Sequence, residues 1–329
     1  MKKIGINGFG RIGRYLTRLA LQNNGLEIGL INDLADISTL CHLLKYDSVH
    51  GVLPLDFNIE GQVATFSNGK KLTFCSHKNP DEIPWSSFGV ETVAECSGLF
   101  LTRDKASKHF EGGAKRVVLS APAGDDTIPS VVLGVNEEIL DEPFDIISNA
   151  SCTTNNTAPM IKILRNLGEI ELGYINTVHS YTSDQRLHDA PHKDLRRARS
   201  AGQSIVPTST GAAKAIIKIF PDLKGKITGS SMRVPVPNGS VSEITVLMKN
   251  ELTVEQINEA MQRAANENLK GILGYTTDPI VSVDIIGNPH SVLFDAELTS
   301  VLGKLVKITG WYDNEAGYSN RLFELLQRV

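Results

Sequence analysis

The sequence predicts an α/β protein built in two parts. Residues 1–150 should form a doubly wound, mostly parallel sheet, and residues 151–314 an α+β domain with a mixed sheet. Three observations carry this reading. A short apolar strand opens the chain and runs into a glycine turn and a helix. Strands and helices then alternate to about residue 150, the order that lays helices on both faces of a parallel sheet. Beyond Cys152 the strands lengthen and crossover helices become fewer. A length of 329 residues, about twice that of a common single domain, agrees with two domains.

Each element follows from its local pattern. Lys2 to Asn7 reads as a strand, Gly8-Phe9-Gly10-Arg11-Ile12-Gly13 as a turn, and Arg14 to Leu21 as a helix. Leu26 to Ile31 is the second strand, ending at Asn32-Asp33. Apolar runs at Glu91 to Glu95, Arg116 to Leu119 and Asp145 to Ile147 supply further strands, with a helical segment at Leu101 to Phe110. In the second part a helix spans Thr153 to Leu167. Long strands follow at Glu169 to Val178, Lys226 to Val234 and Ser240 to Lys249. The pair Thr253 and Gln256 forms a capping box that starts another helix. Such a run predicts a mixed or antiparallel sheet covered by helices on one face. A last strand, Lys304 to Tyr312, precedes an amphipathic helix at Gly317 to Val329, and residues 315–329 are expected to return to the first domain. Ser180 to Ser204 is polar and basic, with Arg186, Lys193, Arg196, Arg197 and Arg199. A loop so long inside a compact domain is usually functional.

Composition excludes several classes. Hydrophobic residues make up 41% and charged residues 21%, with a net charge of -4, which argues against disorder and against nucleic-acid binding by bulk positive charge. No apolar run approaches the ~18 to 20 residues of a membrane span. The start MKKIGINGFG lacks the apolar segment and cleavage site of a signal peptide, so a cytoplasmic protein with no membrane or nucleic-acid partner is expected. Four cysteines, Cys41, Cys75, Cys96 and Cys152, lie far apart, without a CxxC pair or a Cys/His cluster of ligand spacing. Neither a disulfide scaffold nor a metal site is expected.

Gly8, Gly10 and Gly13 alone are a common pattern; their place between a strand and a helix gives them meaning. Such a turn lets backbone approach a pyrophosphate while the helix N-terminus supplies N–H donors, as in a Rossmann-type dinucleotide-binding domain. Asp33, at the end of the second strand, can accept from both adenosine ribose hydroxyls and repels a 2′-phosphate, which favours NAD over NADP. A solvated strand-end carboxylate is the alternative. Cys152 lies at a strand-to-helix junction, where the helix dipole favours the thiolate; a buried packing cysteine is the alternative, and it is the preferred reading of Cys41, Cys75 and Cys96. A nucleophilic thiol needs a base, and His179 at a strand end is a candidate, against the commoner structural histidine.

The stretches INGFGRIGR, KYDSVHG, SNASCTTN, TVHSYTSDQR, HKDLRRAR, PTSTGAAKA, RVPVPN and WYDNEAGYSN, spread from Ile6 to Asn320, resemble those of the phosphorylating glyceraldehyde-3-phosphate dehydrogenases. The resemblance implies NAD-dependent oxidation of glyceraldehyde 3-phosphate to 1,3-bisphosphoglycerate by a homotetramer. It casts Cys152 as the nucleophile that forms a thiohemiacetal and then a thioester, with His179 as general acid/base. It implies that Thr182 and Arg233 bind one phosphate, that Ser151, Thr210, Gly211 and Arg197 bind the other, and that Thr153 lies in the same phosphate-binding set. For the cofactor it assigns Arg11 and Ile12 to the pyrophosphate turn with Gly8, Gly10 and Gly13, Asp33 to the ribose, Lys78 and Ser120 to adenine-side and nicotinamide-side contacts, Asn314 to the carboxamide, and Tyr318 to the vicinity of the nicotinamide. Arg196 and Arg199 read as surface or intersubunit ion pairs.

Three positions depart from the commonest family pattern. Asn156 stands where a second cysteine often follows the nucleophile. Ala190-Pro191 replaces Leu-Pro, which relaxes the expected strictness for NAD. Gly239 stands where Val is frequent. Competing functions are erythrose-4-phosphate dehydrogenase, disfavoured by the intact Thr210-Gly211-Ala212-Ala213, and a binding module with a vestigial site, disfavoured by the presence of Cys152, His179 and Arg233. A semialdehyde dehydrogenase leaves the two-phosphate set unexplained.

Overall fold

The computed structural model describes residues 1–329, and the chain divides into two compact units. The first comprises Met1–Val131, Glu137–Ala150 and Ser319–Val329; the second comprises Val132–Asn136 and Ser151–Tyr318.

The first unit holds an eight-stranded sheet in the order Ile146–Ser148, Arg116–Leu119, Thr92–Glu95, Lys2–Asn7, Leu26–Asn32, Lys71–Cys75, Val63–Phe66, Phe57–Glu60. The first six run parallel, and Val63–Phe66 is antiparallel to both of its neighbours. Lys2–Asn7 is buried from Ile4 onward, with Ile4 and Ile6 fully enclosed, as befits a central strand of a parallel sheet. The chain moves from this strand to Leu26–Asn32 on one side and later to Thr92–Glu95 on the other. The carboxyl ends here form the crevice where open α/β sheets bind ligands. The antiparallel strands at Phe57–Phe66 were not apparent in the sequence, since short, half-exposed strands carry little apolar patterning. The segment at Leu101 to Phe110 is helical but short, an α-turn at Arg103–Ala106 continued as a 3-10 turn at Ser107–Phe110.

A buried polar network fixes the strand ends beneath the glycine turn. Asn32 Nδ2 donates to Asn7 Oδ1 at 2.8 Å, and Asn7 Nδ2 donates to Glu95 Oε2 at 2.6 Å. Glu95 also accepts from His109 Nε2 at 2.9 Å and from Ser97 N–H at 2.8 Å, while Trp85 Nε1 donates to His109 Nδ1 at 3.1 Å. The buried Glu95 carboxyl group thus has its oxygens satisfied by hydrogen bonds. The last helix, Ala316–Arg328, is tied to this unit by Lys2 Nζ, which donates to the Val329 carbonyl.

The second unit holds a mixed sheet in the order Val206–Thr208, Ile227–Val234, Ile170–Ser180, Ser240–Met248, Leu305–Tyr312, Val292–Asp295, Leu273–Thr276, with Ser300–Leu302 paired to Leu305–Tyr312. Ile170–Ser180 runs parallel to Ile227–Val234 and antiparallel to Ser240–Met248. Ser240–Met248 buries every second residue, including Ile244, Val246 and Met248. That face is covered by the helices Cys152–Leu167, Ala212–Ile219 and Val254–Asn266, the last started by the Thr253/Gln256 capping box. Leu172, Tyr174 and Met232 remain exposed. Ser180 to Ser204 contains no strand or helix beyond Ser180 and folds on itself, with Ala201 N–H donating to the Arg186 carbonyl at 2.9 Å and Ala190 N–H to that of Ala198 at 3.0 Å.

Candidate active site

In the first unit the helix Arg11–Gln22 starts at Gly10, which offers no side-chain cap, and a Cβ on Gly10 would meet open space. No side chain therefore stands over the start of the helix at Gly10. Gly8 has φ +93° and lies against the Ser97 backbone, which a Cβ would meet at 2.5 Å; a Cβ on Gly13 would strike the Gly8 carbonyl. This turn fits a pyrophosphate, which needs bare backbone donors at a helix N-terminus. Asp33 Oδ2 accepts from Phe9 N–H at 2.7 Å and Oδ1 from Ala35 N–H at 3.0 Å, so the carboxylate is fixed beside the turn. The Arg11 side chain turns aside to Asp47 at 2.6 Å. Burial pushes the Asp47 carboxyl up, but the Arg11 hydrogen bond and the His50 and Val49 N–H groups outweigh it and hold it at about 2. Lys78 is exposed just past the strand Lys71–Cys75, and Ser120 follows Arg116–Leu119 with its N–H on the Glu95 carbonyl at 2.9 Å.

In the second unit Ser151 caps the helix Cys152–Leu167 through Thr154 N–H at 3.0 Å, which makes Cys152 the first helical residue. Just before it Ala150 holds φ +54°, the one non-glycine residue in the left-handed region. Cys152 Sγ lies 3.5 Å from His179 Nε2. Strand register sets the other side of the imidazole: His179 and Arg233 are partners on parallel strands, so their side chains share the helix-covered face. His179 Nδ1 is 2.7 Å from the Ser180 carbonyl and 2.8 Å from an Arg233 guanidinium nitrogen, which also donates to that carbonyl at 3.0 Å. The Tyr312 ring stands edge-on to the imidazole at 5.9 Å.

Opposing influences act on the thiol and the imidazole. Burial pushes the Cys152 thiol up, and the Arg233 charge with the Thr153 and Cys152 donors offsets only part of that rise. Burial, and then the Arg233 charge, push His179 down to about 3. Desolvation thus works against the charged form of both groups, while the Arg233 charge favours the thiolate and disfavours the imidazolium. Burial raises Cys41 and Cys75 to about 11 and Cys96 to about 12.

The remaining expected residues fall into two groups. Arg197 lies close enough to His179 and Arg233 for its charge to act on both, yet its guanidinium is engaged by Asp184, by Thr208 Oγ1 at 2.9 Å and, more loosely, by Asp194 at 3.6 Å. Thr210 Oγ1 caps Ala212 N–H at 3.1 Å, and a Cβ on Gly211 at the start of Ala212–Ile219 would meet open space. Thr182 follows the end of Ile170–Ser180, with its carbonyl accepting from Gln185 N–H at 2.9 Å. The Thr153 hydroxyl is hydrogen-bonded to the Tyr312 hydroxyl at 2.9 Å. Asn314 Oδ1 accepts from Ser180 at 2.8 Å and Ser240 at 3.0 Å, and Tyr318 is buried in the last helix. Sequence reasoning missed Ser180, Ser240, Tyr312 and Asp184. Ser180 and Asp184 stand inside the stretch TVHSYTSDQR and Tyr312 inside WYDNEAGYSN, whereas Ser240 lies outside every such stretch.

Two open positions close. Asn156 is fully buried and its Nδ2 donates to the Gly310 carbonyl at 3.2 Å, clipping the helix to the strand Leu305–Tyr312. Gly239 has φ +86° and a Cβ there would strike the Ser282 carbonyl, which explains glycine at this place.

Fold and site define a dinucleotide-binding protein with a cysteine–histidine pair among arginines. The family profile described as glyceraldehyde 3-phosphate dehydrogenase, NAD binding domain, matches residues 2–103, and that described as its C-terminal domain matches residues 151–314. Curated relatives named glyceraldehyde-3-phosphate dehydrogenase include one from Priestia megaterium, 50% identical over 329 residues (99% of this chain, 98% of the relative). Others come from Geobacillus stearothermophilus, 50% identical (98% and 96% covered), and Mycobacterium avium, 50% identical (99% and 98% covered). The chain belongs to the glyceraldehyde-3-phosphate dehydrogenase family. No helix is long and apolar enough to cross a membrane.

Proposed function

We propose that the protein oxidises D-glyceraldehyde 3-phosphate with NAD and inorganic phosphate to give 1,3-bisphosphoglycerate. The observation that carries this reading is Cys152 Sγ at 3.5 Å from His179 Nε2, beside Arg233, in a chain of this family. Cys152 sulfur bonds to the aldehyde carbon while its proton passes to His179 Nε2 and on to the carbonyl oxygen, giving a thiohemiacetal. His179 then takes the hydroxyl proton as hydride leaves the carbon. NAD supplies the hydride acceptor. A phosphate oxygen attacks the resulting thioester, the carbon–sulfur bond breaks, and the acyl phosphate departs.

Two anions must be held, and arginine suits each because its planar fork meets two phosphate oxygens. Arg233 with Thr182 takes the C3 phosphate. Arg197 with Ser151, Thr210 and Gly211 takes the attacking phosphate, which displaces Asp184 from Arg197. Gly8, Gly10, Arg11, Ile12 and Gly13 hold the pyrophosphate through backbone, Asp33 the ribose, Lys78 and Ser120 the flanking groups, and Asn314 the carboxamide, with Tyr318 near it. The exposed Leu172, Tyr174 and Met232 support a homotetramer, since apolar residues gathered on a sheet face mark interfaces. The reading places the protein in the cytoplasm.

The test is a steady-state assay of NADH formation from glyceraldehyde 3-phosphate. Sustained turnover should require inorganic phosphate and should be much weaker with erythrose 4-phosphate; phosphate-independent turnover would remove the phosphorylating step.

A further inference from the structure

The hydrogen bonds around Glu95 in the first unit all run in one sense, toward its carboxyl group. From one side, Trp85 Nε1 can only donate, so its 3.1 Å bond to His109 Nδ1 leaves the ring proton on Nε2, 2.9 Å from Glu95 Oε2. From the other side, His77 N–H donates to Asn32 Oδ1 at 2.8 Å and Asn32 Nδ2 donates to the His77 carbonyl at 2.9 Å, which fixes the sense of that amide. Asn32 Nδ2 also donates to Asn7 Oδ1 at 2.8 Å, so the Asn7 NH2 group turns to Glu95 Oε2, at 2.6 Å. Glu95 Oε1 takes the Ser97 N–H at 2.8 Å and the Ser97 hydroxyl, whose own oxygen accepts from Leu99 N–H at 3.1 Å. Each end of this chain is set by an N–H that only donates, and the donors meet at position 95. The residue there must accept on both sides. A carboxyl group does so, and the isosteric amide does not.

The chain ends on the crevice. A Cβ on Gly8, whose φ is +93°, would meet the Ser97 backbone nitrogen at 2.5 Å, so the segment after Thr92–Glu95 rests directly on the glycine turn. Gly8 N–H donates to the Asn32 carbonyl at 2.8 Å and Cys96 N–H to the Asn7 carbonyl at 2.7 Å, which ties the same three strand ends together through backbone.

We propose that Glu95 is a positioning residue for the dinucleotide: as the acceptor on which these donors converge, it holds the Ser97 backbone against Gly8 and so sets the shape of the pyrophosphate turn. This deepens the proposed function, and it rests on Gly8, Gly10 and Gly13 as the pyrophosphate turn. In Glu95→Gln the new NH2 group has to face donors on one side. At the place of Oε2 it would meet Asn7 and His109; at that of Oε1 it meets the Ser97 N–H and a hydroxyl that can rotate. The smaller conflict is with Ser97, which then loses its backbone bond.

The test combines calorimetric titration of the cofactor-free, full-length protein with NAD and hydrogen exchange read on the peptide carrying Ser97 and Leu99. Glu95→Gln should bind NAD about tenfold more weakly, the effect of one buried donor left unpaired. Its Ser97 and Leu99 amides should exchange faster while those of Lys2–Asn7 and Leu26–Asn32 do not change. Adding Asn7→Asp moves the accepting group one link along the chain. The amide at 95 then donates to the carboxyl group at 7 and offers its oxygen to Ser97 again, and the remaining mismatch falls on the His109–Trp85 branch. This double variant should recover most of the lost affinity and the Ser97 protection, whereas a role in overall stability alone would make both worse. In wild-type protein without NAD the Ser97 amide should already be protected, a readout that needs no variant. Unchanged affinity in Glu95→Gln, a loss of affinity with Ser97 exchange unaltered, a double variant no better than the single one, or an unprotected Ser97 in wild type overturns the positioning role and leaves the proposed function standing. Wild-type protein that does not bind NAD overturns the proposed function itself.

Discussion

Asn314 Oδ1 is clamped by two hydroxyls, Ser180 Oγ at 2.8 Å and Ser240 Oγ at 3.0 Å, and this fixes which end of the amide is free. Both hydroxyls donate to the oxygen, so the NH2 group is left as the donor to a ligand. Asn314→Asp replaces that donor with a carboxylate oxygen and should weaken NAD binding by about 1–3 kcal/mol, the usual effect of an unsatisfied buried partner. Ser180→Ala with Ser240→Ala frees the amide to flip and should weaken binding less. Calorimetric titration with NAD reads both, and unchanged affinity in Asn314→Asp would remove the carboxamide contact.

Asp33 does two jobs that one substitution separates. Its carboxylate holds Phe9 N–H and repels a 2′-phosphate. Asp33→Gly should improve the NADP-to-NAD ratio of kcat/KM by about 1–3 kcal/mol as the like charge goes. Part of the gain should appear as poorer NAD use, because the turn loses its latch.

At position 239 a larger residue should destabilise the fold. Gly239→Val combines a left-handed φ of +86° with contact against the Ser282 carbonyl. A loss of about 1–3 kcal/mol is expected and would appear as a lower Tm by calorimetry.

The fold should also lose stability in mild acid through His179. Its pKa falls from 6.5 to about 3 on folding, so between these values the unfolded chain binds more protons. The stability from keeping this ring neutral is fully present above about pH 6.5 and is lost as the pH drops toward 3. His179→Gln should flatten the dependence of the urea midpoint on pH across that window; an identical slope would show that His179 does not titrate as described.

How much of this was legible in the sequence depends on how local the signal is. The strand–turn–helix at Lys2–Gln22, the capping box at Thr253 and the place of Cys152 at a helix start depend on neighbours in the chain, and all are found as expected. The pairing of His179 with Arg233 depends on the register of two strands separated by the long basic loop, which residue spacing does not encode. The helix dipole at Cys152 is visible in sequence, whereas the burial that pushes the same thiol up comes only from tertiary packing. Likewise the bonds of Asp184 to Arg197 and of Ser180 and Ser240 to Asn314 are tertiary pairings that residue spacing does not reveal.

The account turns on covalent catalysis by Cys152, and the most direct test is to look for the acyl group. Enzyme mixed with NAD and glyceraldehyde 3-phosphate without inorganic phosphate should release one NADH per chain in a burst. Acid quenching and peptide mass spectrometry should then find a phosphoglyceryl group on the peptide carrying Cys152, lost when phosphate is added before the quench and absent in Cys152→Ser. NADH formed with no acyl group on that peptide, or turnover sustained in Cys152→Ser, would contradict the account.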